Sequence, residues 1–194
     1  FIVSVVPNLD GEITGIFAGN WTSAWLEATR MVDDIFGVEI EEQADIVIAT
    51  AGGYPKDINL YQTQKTIDNA VCAMKQGGVV VTLGECPDIA DPKEFFDWFS
   101  YPTPLEMEKA VRANFLISGW VAVRQIEYGR KGTMILLTRK ENLELARKAG
   151  VLPVSTMDEA LKMAYEKCGT KNPKITIMPQ GANTFPMLVK KERR

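Results

Sequence analysis

Residues 45–65 read DIVIATAGGYPKDINLYQTQK. Asp45 to Ala51 is a β-rich run that predicts a buried strand. Gly52-Gly53-Tyr54-Pro55 has turn chemistry, and Asn59 opens a helix that is expected to reach Lys75. Strand, glycine turn and helix together make the unit from which parallel α/β sheets are built. The helix carries Tyr61, Gln62 and Lys65 within its first turn and a half. A lysine there opposes the partial positive charge of the helix N-terminus, at a cost of about 0.3–1 kcal/mol at an exposed site. An anion held between the ammonium, the tyrosine, the amide and the free backbone N–H groups removes the conflict. The stretch therefore reads as a grip for a small anion, first of all a carboxylate.

Working outward, FIVSVVPNLDGEITGIFAG (1–19) reads as a β-hairpin turning at Asn8-Leu9-Asp10-Gly11. Asn20 caps a helix from Trp21 to Phe36, with Trp21, Trp25, Ala28, Val32 and Ile35 on one face and Gly37 stopping it. Beyond the central helix, Val79 to Leu83 is a continuous apolar strand of the kind buried on both faces. Thr103-Pro104-Leu105-Glu106 and Thr156-Met157-Asp158-Glu159 have the form of capping boxes, the first with proline at the first helical position. Further helices are expected at 118–128 and 141–149, the helix from Thr156 stops at Gly169, and strands are expected at 134–138, 151–154 and 174–178. The alternation predicts an α/β fold: a mostly parallel sheet with helices on both faces, preceded by the hairpin. One domain over residues 1–194 is the simplest division.

The chain has 194 residues, 46% hydrophobic and 24% charged, with a net charge of −3, so nothing favours a nucleic-acid partner. The closing KKERR reads as a solvated end. No apolar run approaches the roughly 20 residues of a membrane span, and no signal peptide is visible. Cys72, Cys86 and Cys168 are odd in number and lack C-x-x-C spacing, which fits a reducing cytoplasm and argues against a zinc knuckle. The sequence contains no histidine, which removes Ser–His and Cys–His pairs and histidine-based metal sites. It starts at Phe1, without methionine and inside a strand-like run, so it is expected to be a fragment whose missing part lies upstream.

In a parallel sheet, ligands bind beyond the carboxyl ends of the strands. Three loops qualify. Gly52-Gly53 either lets backbone approach a ligand or simply makes a tight turn; neither a G-x-G-x-x-G fingerprint nor a P-loop is present. Gln62, three residues after Asn59, either completes a variant capping box or binds ligand. Lys65 is otherwise a solvated surface lysine. Gly84-Glu85-Cys86-Pro87-Asp88 offers two carboxylates for acid–base work, or is a polar loop; Cys86 has no histidine to activate it. Gln180 to Thr184 either lines the same crevice or closes the fold. Trp120, near a helix start with Arg124 and Gln125 behind it, either covers a flat ligand or packs in the core.

The order TAGGYPKDINLYQTQK, then KQGGVVVTLGEC, resembles the nickel-dependent lactate racemase family over most of the chain, up to about Met134. That resemblance implies a two-domain α-hydroxyacid racemase or epimerase, of which this chain is the C-terminal domain. It implies a nickel pincer nucleotide held by the missing N-terminal domain, with no cofactor covalently bound here and no metal ligand in this chain. It implies that Tyr61, Gln62 and Lys65 face cofactor and substrate, Gln62 and Lys65 holding the substrate carboxylate, with Trp120 over the cofactor and Gly52 and Gly53 lining the site. Partners are then a small hydroxyacid, the N-terminal domain and the cofactor-biosynthesis enzymes. The implied reaction moves the α-hydride to the cofactor and back through a transient keto acid. Two departures stand out: Asp88-Ile89-Ala90-Asp91-Pro92 lacks the family's glycine-rich turn, and Trp25 stands where many members carry histidine. The alternative is a non-catalytic α/β module that binds a small anion.

Overall fold

The computed structural model describes residues 1–189; the basic segment Lys190–Arg194 lies outside the described residues. Its centre is a five-stranded parallel sheet in the order β7-β6-β5-β4-β8, formed by β4 (Ala44–Thr50), β5 (Met74–Leu83), β6 (Thr133–Leu137), β7 (Leu152–Val154) and β8 (Ile175–Met178). Successive strand residues point to opposite faces. Val47, Ala49, Val80, Met134 and Leu136 join the core beneath α2 (Leu60–Ala73) and α5 (Ile117–Lys131). Ile46, Val79, Val81 and Ile135 pack with Ala160 and Ala164 of α7 (Met157–Cys168) on the other face. Helices on both faces explain why β4 and β5 read as nearly unbroken apolar runs.

Short helices α3 (Lys93–Asp97) and α4 (Pro104–Ala113) cover α5, and α6 (Leu143–Lys148) packs beside β7. Among the described residues, no helix is long and apolar enough to cross a membrane.

The N-terminal hairpin forms as expected. Strands β1 (Ile2–Pro7) and β2 (Ile13–Gly19) pair antiparallel as a separate two-stranded sheet. Helix α1 (Trp21–Phe36) lies against this hairpin, with Asn20 accepting from the Thr22 and Ser23 N–H groups. Its buried residues are Ala24 and Ala28, while Trp21, Trp25 and Val32 are exposed. Of the expected face, Ala28 is buried and Ile35 half-buried, whereas its two tryptophans and Val32 are not covered; the hairpin meets α1 along Ala24 and Ala28.

Two further differences from the sequence reading follow from pairing. Helix α2 ends at Ala73 rather than Lys75, and β5 begins five residues before Val79, because Met74 already pairs with Ala44. Gly37 stops α1 as expected, but without a left-handed turn. Its φ is −73°, and it leads directly into β3 (Gly37–Ile40). Strand β3 pairs in parallel with β9 (Phe185–Leu188), a second small sheet that the sequence did not announce.

Both capping boxes start helices. At α7 the box is complete: the Glu159 N–H donates to Thr156 Oγ1 at 3.2 Å, and the Thr156 N–H donates to Glu159 Oε2 at 3.1 Å. At α4 the Glu106 carboxylate meets the Thr103 hydroxyl, at 2.9 Å, instead of a backbone N–H. The Ser155 N–H, with help from Thr156, holds the Glu159 carboxyl below its usual range. A lowered folded-state value means this contribution is complete above the unfolded-state pKa and fades as pH falls through the folded one. Glu159→Gln should therefore lower Tm at pH 7, with the gap from the parent narrowing as pH falls below the unfolded-state value of about 4.3 and on through the lower folded one; a gap that stays constant into acid would contradict the assignment.

Candidate functional site

The carboxyl ends of β4, β5, β6 and β7 open onto a crevice of about 430 Å³ lined in part by Gly52, Gly53, Asp57, Glu85, Arg139 and Thr156. Strand β4 delivers the chain to Gly52 and Gly53, at φ of +89° and +80°, which side chains bearing a Cβ rarely adopt. The Gly52 N–H donates to Thr50 Oγ1 at 3.1 Å, fixing the bend. After β5, Gly84 leaves room for the opening of α2: a Cβ there would sit 2.9 Å from Thr63 Cγ2.

Asn59 caps α2, its Oδ1 accepting from the Gln62 N–H at 2.8 Å. The Gln62 side chain points the other way: its Oε1 accepts from Lys65 Nζ at 2.6 Å. The backbone of Gln62 thus serves the cap, and its amide orients the lysine. Lys65 is exposed, and none of the ion pairs among the described residues involves it. Tyr61 is half-buried, its ring edge-on to Phe95 at a centroid distance of 5.6 Å.

Trp120 is 47% exposed and lies in a different cavity, about 640 Å³, between α4 and α5 with Phe115, Arg112 and Arg124. The Arg124 guanidinium stands 5.9 Å from the Trp120 ring centroid and 4.8 Å from that of Tyr128. It also donates to Asp68 at 3.2 Å, and the Tyr128 hydroxyl donates to the same carboxylate oxygen. Burial first, then Asp68, raises the Tyr128 hydroxyl well above its ordinary pKa. The core tryptophan is Trp98, not Trp120. The structure therefore brings Lys65 and Gln62 together with Tyr61 beside them, and places the glycine bend and Trp120 in two separate cavities that Lys65 does not line.

The second loop is a brace. Glu85 is bound to Arg139, Oε1 to Nη2 at 2.5 Å, and the Glu85 N–H donates to Asp57 Oδ2 at 3.2 Å. The buried Asn142 amide donates to the Glu85 and Cys86 carbonyls at 3.2 and 2.8 Å. Cys86 is fully buried, and burial pushes its thiol up, the opposite of what a nucleophile requires. It should stay unmodified by a thiol reagent at pH 8 while the protein is folded and react once denaturant is added; rapid reaction of the native protein at Cys86 would contradict its burial. The third loop closes the fold: the Gly181 N–H donates to the Thr50 carbonyl at 2.9 Å, and Asn69 Nδ2 donates to the Gly181 carbonyl at 2.8 Å.

Arg139, Ser155 and Thr156 line the crevice but were not anticipated. The available signal was positional, since they follow β6 and β7 at the same carboxyl edge. Among the described residues, no three His, Cys, Asp or Glu side chains converge as a metal site.

Comparison with known proteins gives these features a family. A sequence model of the lactate racemase C-terminal domain matches residues 39–185. The lactate racemase of Thermoanaerobacterium thermosaccharolyticum is 31% identical over 190 residues, covering 95% of this chain and 44% of the relative. That of Lactiplantibacillus plantarum is 29% identical over 194 residues, covering 93% of this chain and 43% of the relative. The chain thus spans less than half the length of these relatives. The structure of the Thermoanaerobacterium lactate racemase apoprotein superposes with a TM-score of 0.82 at 30% identity, over 95% of this chain and 45% of that one. A Thermotoga maritima crystal structure, at 12% identity and a TM-score of 0.60 over 96% of this chain and 48% of that one, shares the fold alone. With its parallel sheet, its glycine bend and its match to the family model over residues 39–185, the chain belongs to the lactate racemase C-terminal domain family.

Proposed function

We propose that this chain is the substrate-clamping C-terminal domain of a cytoplasmic α-hydroxyacid racemase or epimerase. In this reading the whole protein interconverts enantiomers by hydride transfer through a keto acid. The single observation that carries it is Lys65: an exposed ammonium on the opening turns of α2, with no carboxylate partner among the described residues and aimed by the Gln62 amide at 2.6 Å. A substrate carboxylate supplies the missing negative charge. Lys65 acts as the point charge, Gln62 fixes its direction, and Tyr61, braced by Phe95, walls the adjacent side of the helix. The clamp keeps the flat keto acid from leaving while its carbonyl turns over. Gly52 and Gly53 line one separate cavity and Trp120 another, so the clamp itself consists of Lys65, Gln62 and Tyr61.

The histidine-free chain offers no ligand set for nickel among its described residues. In this reading the nickel pincer nucleotide belongs to the N-terminal domain, and its supply depends on cofactor-making enzymes. The test is exchange between D- and L-lactate and other α-hydroxyacids by the full-length protein co-expressed with those enzymes, with and without Lys65→Ala. Exchange that depends on Lys65 supports the clamp. Exchange that is unchanged in the variant overturns it, and anion binding without exchange leaves the non-catalytic module.

A further inference from the structure

The hairpin carries apolar residues on both faces. Residues 2–7 and 13–19, IVSVVP and ITGIFAG, contain no charged side chain. Ile2, Ser4, Val6, Gly15 and Phe17 turn toward α1 and are buried or half-buried. The opposite face pairs Val3 with Ala18, Val5 with Ile16 and Pro7 with Ile13. There Val3 is 61% exposed, Val5 50%, Ile16 62% and Ile13 64%. An antiparallel pair with one solvated face normally alternates apolar with polar residues, and this one does not. A two-stranded hairpin is marginal by itself, and a contiguous apolar patch of this kind marks an interaction surface.

We propose that the outer face of the hairpin is covered by the remainder of the same polypeptide, so that residues 1–38 are packed from both sides in the full-length protein. Two observations select that occupant over a second copy. The C-terminal-domain family model begins at residue 39, leaving the hairpin and α1 outside it, whereas the full-length lactate racemases match across 95% and 93% of this chain. Those relatives are also more than twice as long as the matched region, which provides ample chain to form the cover. The hairpin is thus a docking element between the C-terminal domain and the rest of the protein. This does not depend on the role given to Lys65.

Cysteine accessibility in the full-length protein tests it. Val5→Cys and Ile16→Cys report the outer face from either strand, so failure of one variant to fold leaves the other. Glu12→Cys, at the exposed turn, is the reference. Peptide mass spectrometry separates these thiols from the native ones. The cysteines at 5 and 16 should label about 100-fold more slowly than the one at 12, at every protein concentration tried. Labelling at comparable rates would overturn the proposal. Protection that disappears on dilution would assign the face to a second copy and overturn it equally.

Discussion

Lys65→Ala in the full-length protein is expected to reduce kcat/KM for the hydroxyacid on the order of 10²-fold. Hydrogen bonds to charged groups are worth about 1.5–3 kcal/mol, and each 1.4 kcal/mol is a tenfold change in rate. The fold should not suffer: the side chain is exposed, its one hydrogen bond goes to Gln62, and surface replacements of this kind change stability within about 0.5 kcal/mol. Loss of activity with an unchanged melting curve is therefore the expected pair of results. Lys65→Arg retains the charge and should recover part of the rate, since the longer fork is not aimed by Gln62 in the same way. Gln62→Ala should have a smaller effect, removing direction but not charge. A Lys65→Ala enzyme with parental kinetics would leave the lysine as an ordinary surface residue.

Phe95→Ala carries the largest expected cost to stability, about 3–5 kcal/mol. Phe95 is fully buried, and its ring meets those of Tyr61, Phe96 and Phe99 edge-on at 5.6, 5.2 and 5.1 Å. Truncation leaves a cavity that three aromatic rings bound and that none can fill without losing its own contacts. Because Tyr61 is one of them, activity should fall even at temperatures where the variant is folded. Equilibrium denaturation measures the first effect and kinetics at low temperature the second. A midpoint within experimental error of the parent would mean that the cluster collapses around the missing ring.

The central fold was legible because its strongest signals are local. Val79 to Val81 and Ile46 to Ala49 are apolar on both faces, and Thr156 with Glu159, and Thr103 with Glu106, start helices through contacts three residues apart. What escaped was non-local. Nothing in GVEI at 37–40 or FPML at 185–188 announces that these short runs pair with one another. The exposure of Trp21 and Trp25 depends on the width of what lies beneath α1, which periodicity does not encode. At the site, the proximity of Gln62 and Lys65 follows from helix geometry and was readable. The separate cavities of Trp120 and the glycine bend depend on where α4 and α5 settle, and the Glu85–Arg139 brace joins residues that only the sheet brings together.

Two of the earliest strands, β3 and β4, find parallel partners in the last two, β9 and β8. On the ribosome this has an unavoidable timetable. The segment bearing Lys65 can coil and settle on β4 and β5 early, but one flank of β4 stays bare until residues near 178 have cleared the exit tunnel. A nascent chain stalled before that point presents a row of unpaired amides and carbonyls along β4, so the central sheet waits on a strand more than a hundred residues downstream for its last edge.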